Sequence, residues 1–131
     1  MTAASPPSAA SLLLTVAEPT RLRILNCLAV APLFVSDLQA ILELPQPTIS
    51  RHLQVLRRAE LVRDTPIAQF VLYRLRQESG LAGRMVRAIL DALRSDVTLR
   101  EERERAVERS RSHTRTRVVE PPDSKLLLRS R

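Results

Sequence analysis

The stretch 45–62, PQPTISRHLQVLRRAELV, constrains the fold of this chain more than any other. Pro45 ends the helical pattern before it, and Pro47 suits a first helical turn, where a missing N–H costs nothing. Ile49, Leu53 and Leu56 recur at i, i+4 and i+7, so one face of the resulting helix is apolar. The other face offers Gln46, Thr48, Ser50, Arg51, His52 and Gln54. Short donors and a guanidinium are the side chains that read base edges and grip phosphates. A short helix, a tight turn and an apolar-backed helix with such a front describe a helix-turn-helix. Double-stranded DNA is the partner it fits.

Composition narrows the class. A chain of 131 residues makes one domain with a modest core, plus a tail. Apolar residues are 44% but aromatics only 2%, so the core must be Leu, Ile, Val and Ala, which favours packed helices over a sandwich. The net charge of +7, almost all from Arg, points to nucleic acid or another anionic surface. The apolar run Leu12–Ala17 is far too short to span a bilayer and lacks the basic flank of a signal peptide. One cysteine gives no internal disulfide and fits a reducing compartment, so a cytoplasmic location is expected, with no membrane partner. There is no glycine-rich phosphate loop, no Ser/His/Asp arrangement and no clustered carboxylates and histidines, so neither catalysis nor a cofactor is expected.

Along the chain, residues 1–10 read as a flexible N-terminus and 11–99 as the DNA-binding and dimerisation domain. Ser11 to Ala17 predicts a first helix stopped by Pro19, and Thr20 an N-cap for a second helix over Arg21–Ala29. Ser36 predicts the cap of a third helix ending near Leu42, and the fourth runs from Pro47 to Ala59. The runs 61–64 and 70–75, with Pro66 between them, predict a hairpin. After Gly80, Leu81, Met85, Ile89, Leu93 and Val97 recur every four residues with Val86 and Leu90 beside them, which predicts one long helix. Residues 100–109 then read as a charged, marginal helical extension, because Glu101/Arg105 helps it while Glu104/Glu108 does not. The basic stretch 110–117 opens a disordered tail over 110–131, which either adds non-specific DNA affinity through counterion release or only solubilises the chain. The expected fold is mainly α with a small β-hairpin, a winged helix-turn-helix.

The residues resemble those of the ArsR/SmtB repressor family. Glu18-Pro19-Thr20-Arg21-Leu22-Arg23-Ile24-Leu25 is similar to the family's DPTRLRIL opening, and Val35-Ser36-Asp37-Leu38 to its V-x-DL segment. The block from Pro45 to Leu53, with Leu56, Arg57 and Ala59, is similar to its PQPTVSRHLxxLRxAGLV block, and Tyr73-Arg74-Leu75 to the close of its wing. The resemblance covers about Thr15 to Leu99. It implies a homodimeric repressor that dimerises through its first and last helices and places two recognition helices in successive major grooves of a pseudo-palindromic operator. On this reading Gln46, Pro47, Thr48, Ser50, Arg51, His52, Gln54 and Arg57 contact DNA, while Leu12, Leu13, Val16, Leu81, Met85, Ile89 and Leu93 form the interface. The apolar stripe on the last helix could equally cover the core of its own chain.

Departures from the pattern bear on mechanism. Where metal-sensing members carry a Cys-Val-Cys pair, this chain has Phe34-Val35-Ser36, and neither Phe nor Ser supplies a thiolate. On the last helix, Asp91 is followed two residues later by Leu93, and Glu104 and Val107 stand where further ligands are needed. No metal is expected at either place. The wing turn, Thr65-Pro66-Ile67-Ala68-Gln69, lacks a cation, and Glu60 stands where the family prefers Gly, at a cost on the order of 1 kcal/mol if φ is positive there.

Several residues admit two readings. Cys27 is either a buried small hydrophobe or a lone thiol switch, which would make the protein a thiol-responsive repressor. His52 either contacts DNA or makes a structural hydrogen bond, and Arg51 either contacts DNA or pairs with Asp37 or Glu43. Arg57, Arg58 and Arg63 contact the DNA backbone or steer it to the dimer surface, or else form an ordinary solvated face, and His113 sits solvated in the tail. The neutral wing also leaves open a protein-interaction module that has lost DNA specificity.

Overall fold

The computed structural model describes residues 8–76 and 80–119, and local side-chain chemistry accounts for most of its element boundaries. Helix α1 (Ala9–Ala17) starts where the Ser8 hydroxyl accepts the Ser11 N–H at 3.1 Å. Helix α2 (Pro19–Leu28) is capped by Glu18, whose carboxylate accepts the Arg21 N–H at 2.9 Å, so Thr20 is not the cap. Pro19 opens that helix as its first residue, where its lack of an N–H is harmless. A two-residue strand β1 (Leu33–Phe34) leads into α3 (Val35–Leu42). The cap is Phe34 rather than Ser36: the Asp37 carboxylate reaches back to accept the Phe34 N–H at 2.8 Å. Helix α4 (Gln46–Arg58) follows a three-residue turn, and strands β2 (Val62–Ile67) and β3 (Phe70–Leu75) form the hairpin.

The sheet order is β1-β3-β2, all antiparallel, with Leu33 opposite Tyr73 and Val62 opposite Leu75. β2 is an edge strand, which is why it tolerates Pro66. Ile67 pairs with Phe70 across a two-residue turn, and Ala68 there takes φ 56°. The core is aliphatic, as the shortage of aromatics requires: Ile24, Leu25, Leu33, Leu38, Ile41, Ile49, Leu53 and Leu56 are wholly buried or nearly so.

The long apolar stripe beginning at Leu81 is not one helix. Helix α5 (Leu81–Ala92) ends, and α6 (Val97–Val119) begins after Asp96. The Asp96 carboxylate accepts the Leu99 N–H at 2.9 Å, the kind of N-cap that starts a separate helix. Val97, the last residue of the stripe, is 54% exposed.

Nor does order fade where the sequence turns charged. Over 97–113, α6 packs on α2, α3 and β1, burying Leu99, Glu102 and Ala106. The stretch 100–109 is therefore part of a docked helix, and the helix continues through 110–119 in place of the disorder expected there. The expectations for 1–7 and 120–131 lie outside the described residues.

Buried and half-buried polar contacts hold α6 down, those of Arg23, Asn26 and Asp37 among them. Arg23 grips Glu102 with Nη2–Oε2 at 2.6 Å and Nε–Oε2 at 3.1 Å, a two-nitrogen contact that keeps the guanidinium protonated. Asn26 donates to the Leu99 carbonyl at 3.0 Å and accepts from Arg103 at 2.8 Å. Asp37, fully buried, receives Arg109 Nε at 2.8 Å, and Nε2 of His113 lies 2.5 and 2.6 Å from its two oxygens. His113 is thus a packing residue, not a solvated one.

Candidate nucleic-acid interface

Helix α4 divides cleanly by face. Ile49, Leu53 and Leu56 are buried completely against α2, α3 and the hairpin. Gln46, Pro47, Arg51 and Arg57 are exposed, and Thr48, Ser50 and Gln54 are half-buried on the flanks. The helix starts without a side-chain cap, its first N–H groups answered by the Pro45 carbonyl, 3.1 Å from Thr48 N and 3.2 Å from Ile49 N.

Two internal hydrogen bonds set the front-face side chains in place. Gln46 Nε2 donates to Ser50 Oγ at 2.6 Å, and Arg57 Nη2 donates to Gln54 Oε1 at 3.0 Å. Both lie on the exposed surface and are readily exchanged for bonds to a base or phosphate. Arg51 stands between them, exposed, and no contact with Asp37 or Glu43 ties it down; Asp37 is instead occupied by Arg109 and His113. An arginine presented this way can make the bidentate contact to guanine that is the commonest specific one in the major groove.

His52 departs from the group. Its Nδ1 lies 3.4 Å from Arg21 Nη1 and 3.8 Å from Glu18 Oε1, and its side chain is only 15% exposed. It joins α4 to the start of α2, where Arg21 Nε also donates to the Thr15 carbonyl at 2.7 Å. These contacts fit the structural-hydrogen-bond reading of His52, while the other seven candidate DNA residues lie on the outward face of α4 and its flanks.

The candidate interface residues separate in the same way. Leu12 and Val16 are buried in the core of their own chain, and Met85, Ile89 and Leu93 are half-buried, the first two packed against that core. Leu13, Leu14 and Leu81 remain exposed at 47%, 74% and 48%, on two helices that touch one another. Leu14 was not singled out from the sequence, because it lies off the apolar face of α1.

Cys27 is fully buried, with Sγ 3.9 Å from the Glu102 carbonyl oxygen. Burial, reinforced by the Glu102 carboxylate, pushes its pKa up to about 12, so the thiolate needed for redox or organometal chemistry is suppressed. Among the described residues no cluster of three or more His, Cys, Asp or Glu could hold a metal ion, and no helix is long and apolar enough to cross a membrane. A cavity of about 540 Å³ lies between α2, the hairpin base, α5 and α6, with Leu61, Leu75, Val86 and Leu90 among its lining residues. None of the eight candidate DNA residues lines it.

Comparison with known proteins agrees with this geometry. Residues 18–64, which span α2 to the start of β2, match the family model described as bacterial regulatory protein, arsR family. The chain is 39% identical over 80 residues to the biofilm growth-associated repressor of Agrobacterium fabrum, covering 61% of this chain and 67% of that protein. It is 33% identical over 60 residues to the transcriptional repressor SdpR of Bacillus subtilis, covering 46% and 67%. The crystal structure of the transcriptional repressor BigR from Xylella fastidiosa superposes with a TM-score of 0.56 at 30% identity, over 63% of this chain and 80% of that one. Winged helix-turn-helix architecture, an outward polar recognition helix and these likenesses converge: the chain belongs to the ArsR family of DNA-binding transcriptional regulators.

Proposed function

We propose that the protein is a sequence-specific repressor that binds a pseudo-palindromic operator as a homodimer, with no metal site of the family's familiar kinds. The observation that carries the reading is the two-sided helix α4. A wholly buried row, Ile49, Leu53 and Leu56, fixes its orientation, and a polar front with the exposed Arg51 at its centre faces outward. Gln46, Thr48, Ser50, Arg51 and Gln54 then read base edges, and Arg57 positions the helix on the backbone. Two copies joined through the exposed leucines of α1 and the start of α5 present two such helices, as a two-fold operator demands.

The absence of thiolates at Phe34 and Ser36 supports a repressor that does not release DNA on binding a thiophilic metal. Phe34 is instead part of the aromatic packing between the hairpin and α6. A switch through Cys27 finds no support in a thiol held protonated inside the core.

The test is an anisotropy titration of the purified protein against duplex from upstream of its own gene, beside a scrambled duplex, at several salt concentrations. Preference for the native duplex that survives physiological salt is expected. Arg51→Ala should weaken operator binding roughly 5- to 150-fold, the equivalent of one lost bidentate contact of about 1–3 kcal/mol. Sedimentation should show its dimer unchanged. Equal binding of both duplexes that collapses as salt rises would overturn the repressor reading in favour of an interaction module.

A further inference from the structure

We propose that the C-terminal end of α6 is a second DNA-backbone contact, supplying the positive charge that the wing lacks. The proposal rests on the operator-binding reading, and it assigns a partner, the phosphodiester backbone beside the groove occupied by α4, to a segment outside the family-matched region 18–64.

The wing explains the need. From Thr65 to Phe70 it has no Lys or Arg, and its two cations, Arg63 and Arg74, face each other at the base of the hairpin. A wing of this kind can approach DNA without gripping it.

The path of α6 supplies the charge. Arg105 Nη2 donates to the Ile41 carbonyl at the end of α3, at 3.3 Å, while Arg109 and His113 hold Asp37 in the first turn of α3. The helix therefore runs antiparallel to α3 and leaves it on the side where β1 meets the wing. An aromatic chain fixes that placement. The His113 ring meets Phe34 edge-on at 5.1 Å, and Phe34 meets Phe70 edge-on at 6.0 Å. Phe70 is the first residue of β3 after the wing turn.

Beyond this anchor the helix continues to Val119, and between Arg109 and Val119 it has no acidic residue. Arg111 is exposed, and Arg115 and Arg117 follow in the same helix. Asp37 thus has two roles: it caps α3, which precedes the recognition helix, and it pins the basic end of α6 beside the wing.

Each phosphate neutralised by a cation contributes about 0.9 to the slope of log K against log salt. The experiment compares the full-length protein with the variant Arg111→Gln/Arg115→Gln/Arg117→Gln on the native upstream duplex and on a scrambled one. Glutamine keeps helix propensity while removing charge. The expected result is a slope shallower by up to roughly 3 per protomer on both duplexes, with their affinity ratio unchanged. An unchanged slope overturns the proposal. If the triple variant melts earlier than the parent, Arg111→Gln alone carries the test, with an expected decrease of about 0.9. The two readings fail separately: loss of native-over-scrambled preference in the parent sinks the operator reading, whereas the slope difference judges α6.

Discussion

Helices α4 and α6 are both rich in charged and polar residues, yet they place them oppositely. In α4 the row Ile49, Leu53 and Leu56 goes inward and the polar side chains face solvent, where they cost nothing until DNA arrives. In α6 the inward row is Leu99, Glu102, Ala106, Arg109 and His113, so apolar residues make up only part of the docking face. That arrangement is stable because every buried charge meets a partner: Glu102 takes Arg23, and Asp37 takes Arg109 and His113. A polar helix face is free for function when apolar neighbours do the packing. When charges do the packing, they are committed to structure.

The sharpest way to break this contrast is a pair of single substitutions with crossed effects. Asp37→Ala leaves Arg109 and His113 without their carboxylate and Phe34 N–H without its acceptor. It should cost about 3–5 kcal/mol in urea unfolding, the usual range for removing one partner of a buried pair. Arg51→Ala, at an exposed position, should stay within about 0.5 kcal/mol of the parent stability while weakening operator binding by the roughly 5- to 150-fold of one lost bidentate contact. Similar stabilities for the two variants would mean that the α6 contacts are not what holds the helix.

A smaller version of the same test lies within α6. Glu102→Ala strips Arg23 of a carboxylate only 2% exposed and should cost about 3 kcal/mol, whereas Glu104→Ala, two residues along and exposed, should cost less than about 0.5 kcal/mol. Equal losses would place the effect in helix propensity rather than in the buried pair.

These residues also show where sequence reading succeeded and failed. The helix-turn-helix was legible because apolar period and turn chemistry agree there: Pro45, Pro47 and the row Ile49, Leu53, Leu56 all point to one helix in one orientation. The β2–β3 hairpin was legible, but the third strand of the sheet, β1, was not, because its two residues are too few to show alternation. α6 was not legible, because its docking partners Arg23 and Asp37 lie 79 and 72 residues away in sequence, and local pattern marks Glu102 and Arg109 only as solvated charge. The break before it had a signal, Asp96 as an N-cap, but the four-residue apolar repeat running through it was the stronger pattern. Of the site, the outward residues of α4 were readable from spacing. The inward turn of His52 was not, since it depends on Arg21 and Glu18 meeting it from α2.

Cys27 reports on the same α2–α6 contact through pH. A thiol ionises ordinarily near 9.0, and here burial holds it protonated up to about 12. Below pH 9 both folded and unfolded chains keep the proton, and the thiol contributes no pH dependence. Above it the unfolded chain releases the proton while the folded one does not, so stability falls progressively as pH rises toward 12. Tyr73, whose pKa is also raised by burial, adds to this slope, and Cys27→Ala isolates the thiol by difference. The variant should lose less stability than the parent between pH 9 and 11, measured by urea midpoint. Parallel curves would show that the thiol is already accessible, and so that α6 opens readily.

The smallest expected effect is a gain, and it lies where α4 ends. The Leu61 N–H reaches the Leu56 carbonyl at 3.0 Å and the Glu60 N–H reaches the Arg57 carbonyl at 2.9 Å, the paired bonds of a Schellman motif. That motif requires a left-handed residue, and Glu60 supplies it at φ 62°. A side chain with a Cβ is strained there by on the order of 1 kcal/mol relative to glycine. Glu60→Gly should therefore stabilise the fold by about that amount, with an unchanged dependence on urea concentration and no loss of operator affinity. The substitution acts on the end of α4 without touching its outward face or any contact of α6, so it separates the backbone cost of the recognition helix from both kinds of polar packing. A loss of stability would show that the Glu60 side chain, at the edge of the cavity with Arg76 and Arg87, recovers more than the backbone strain it imposes.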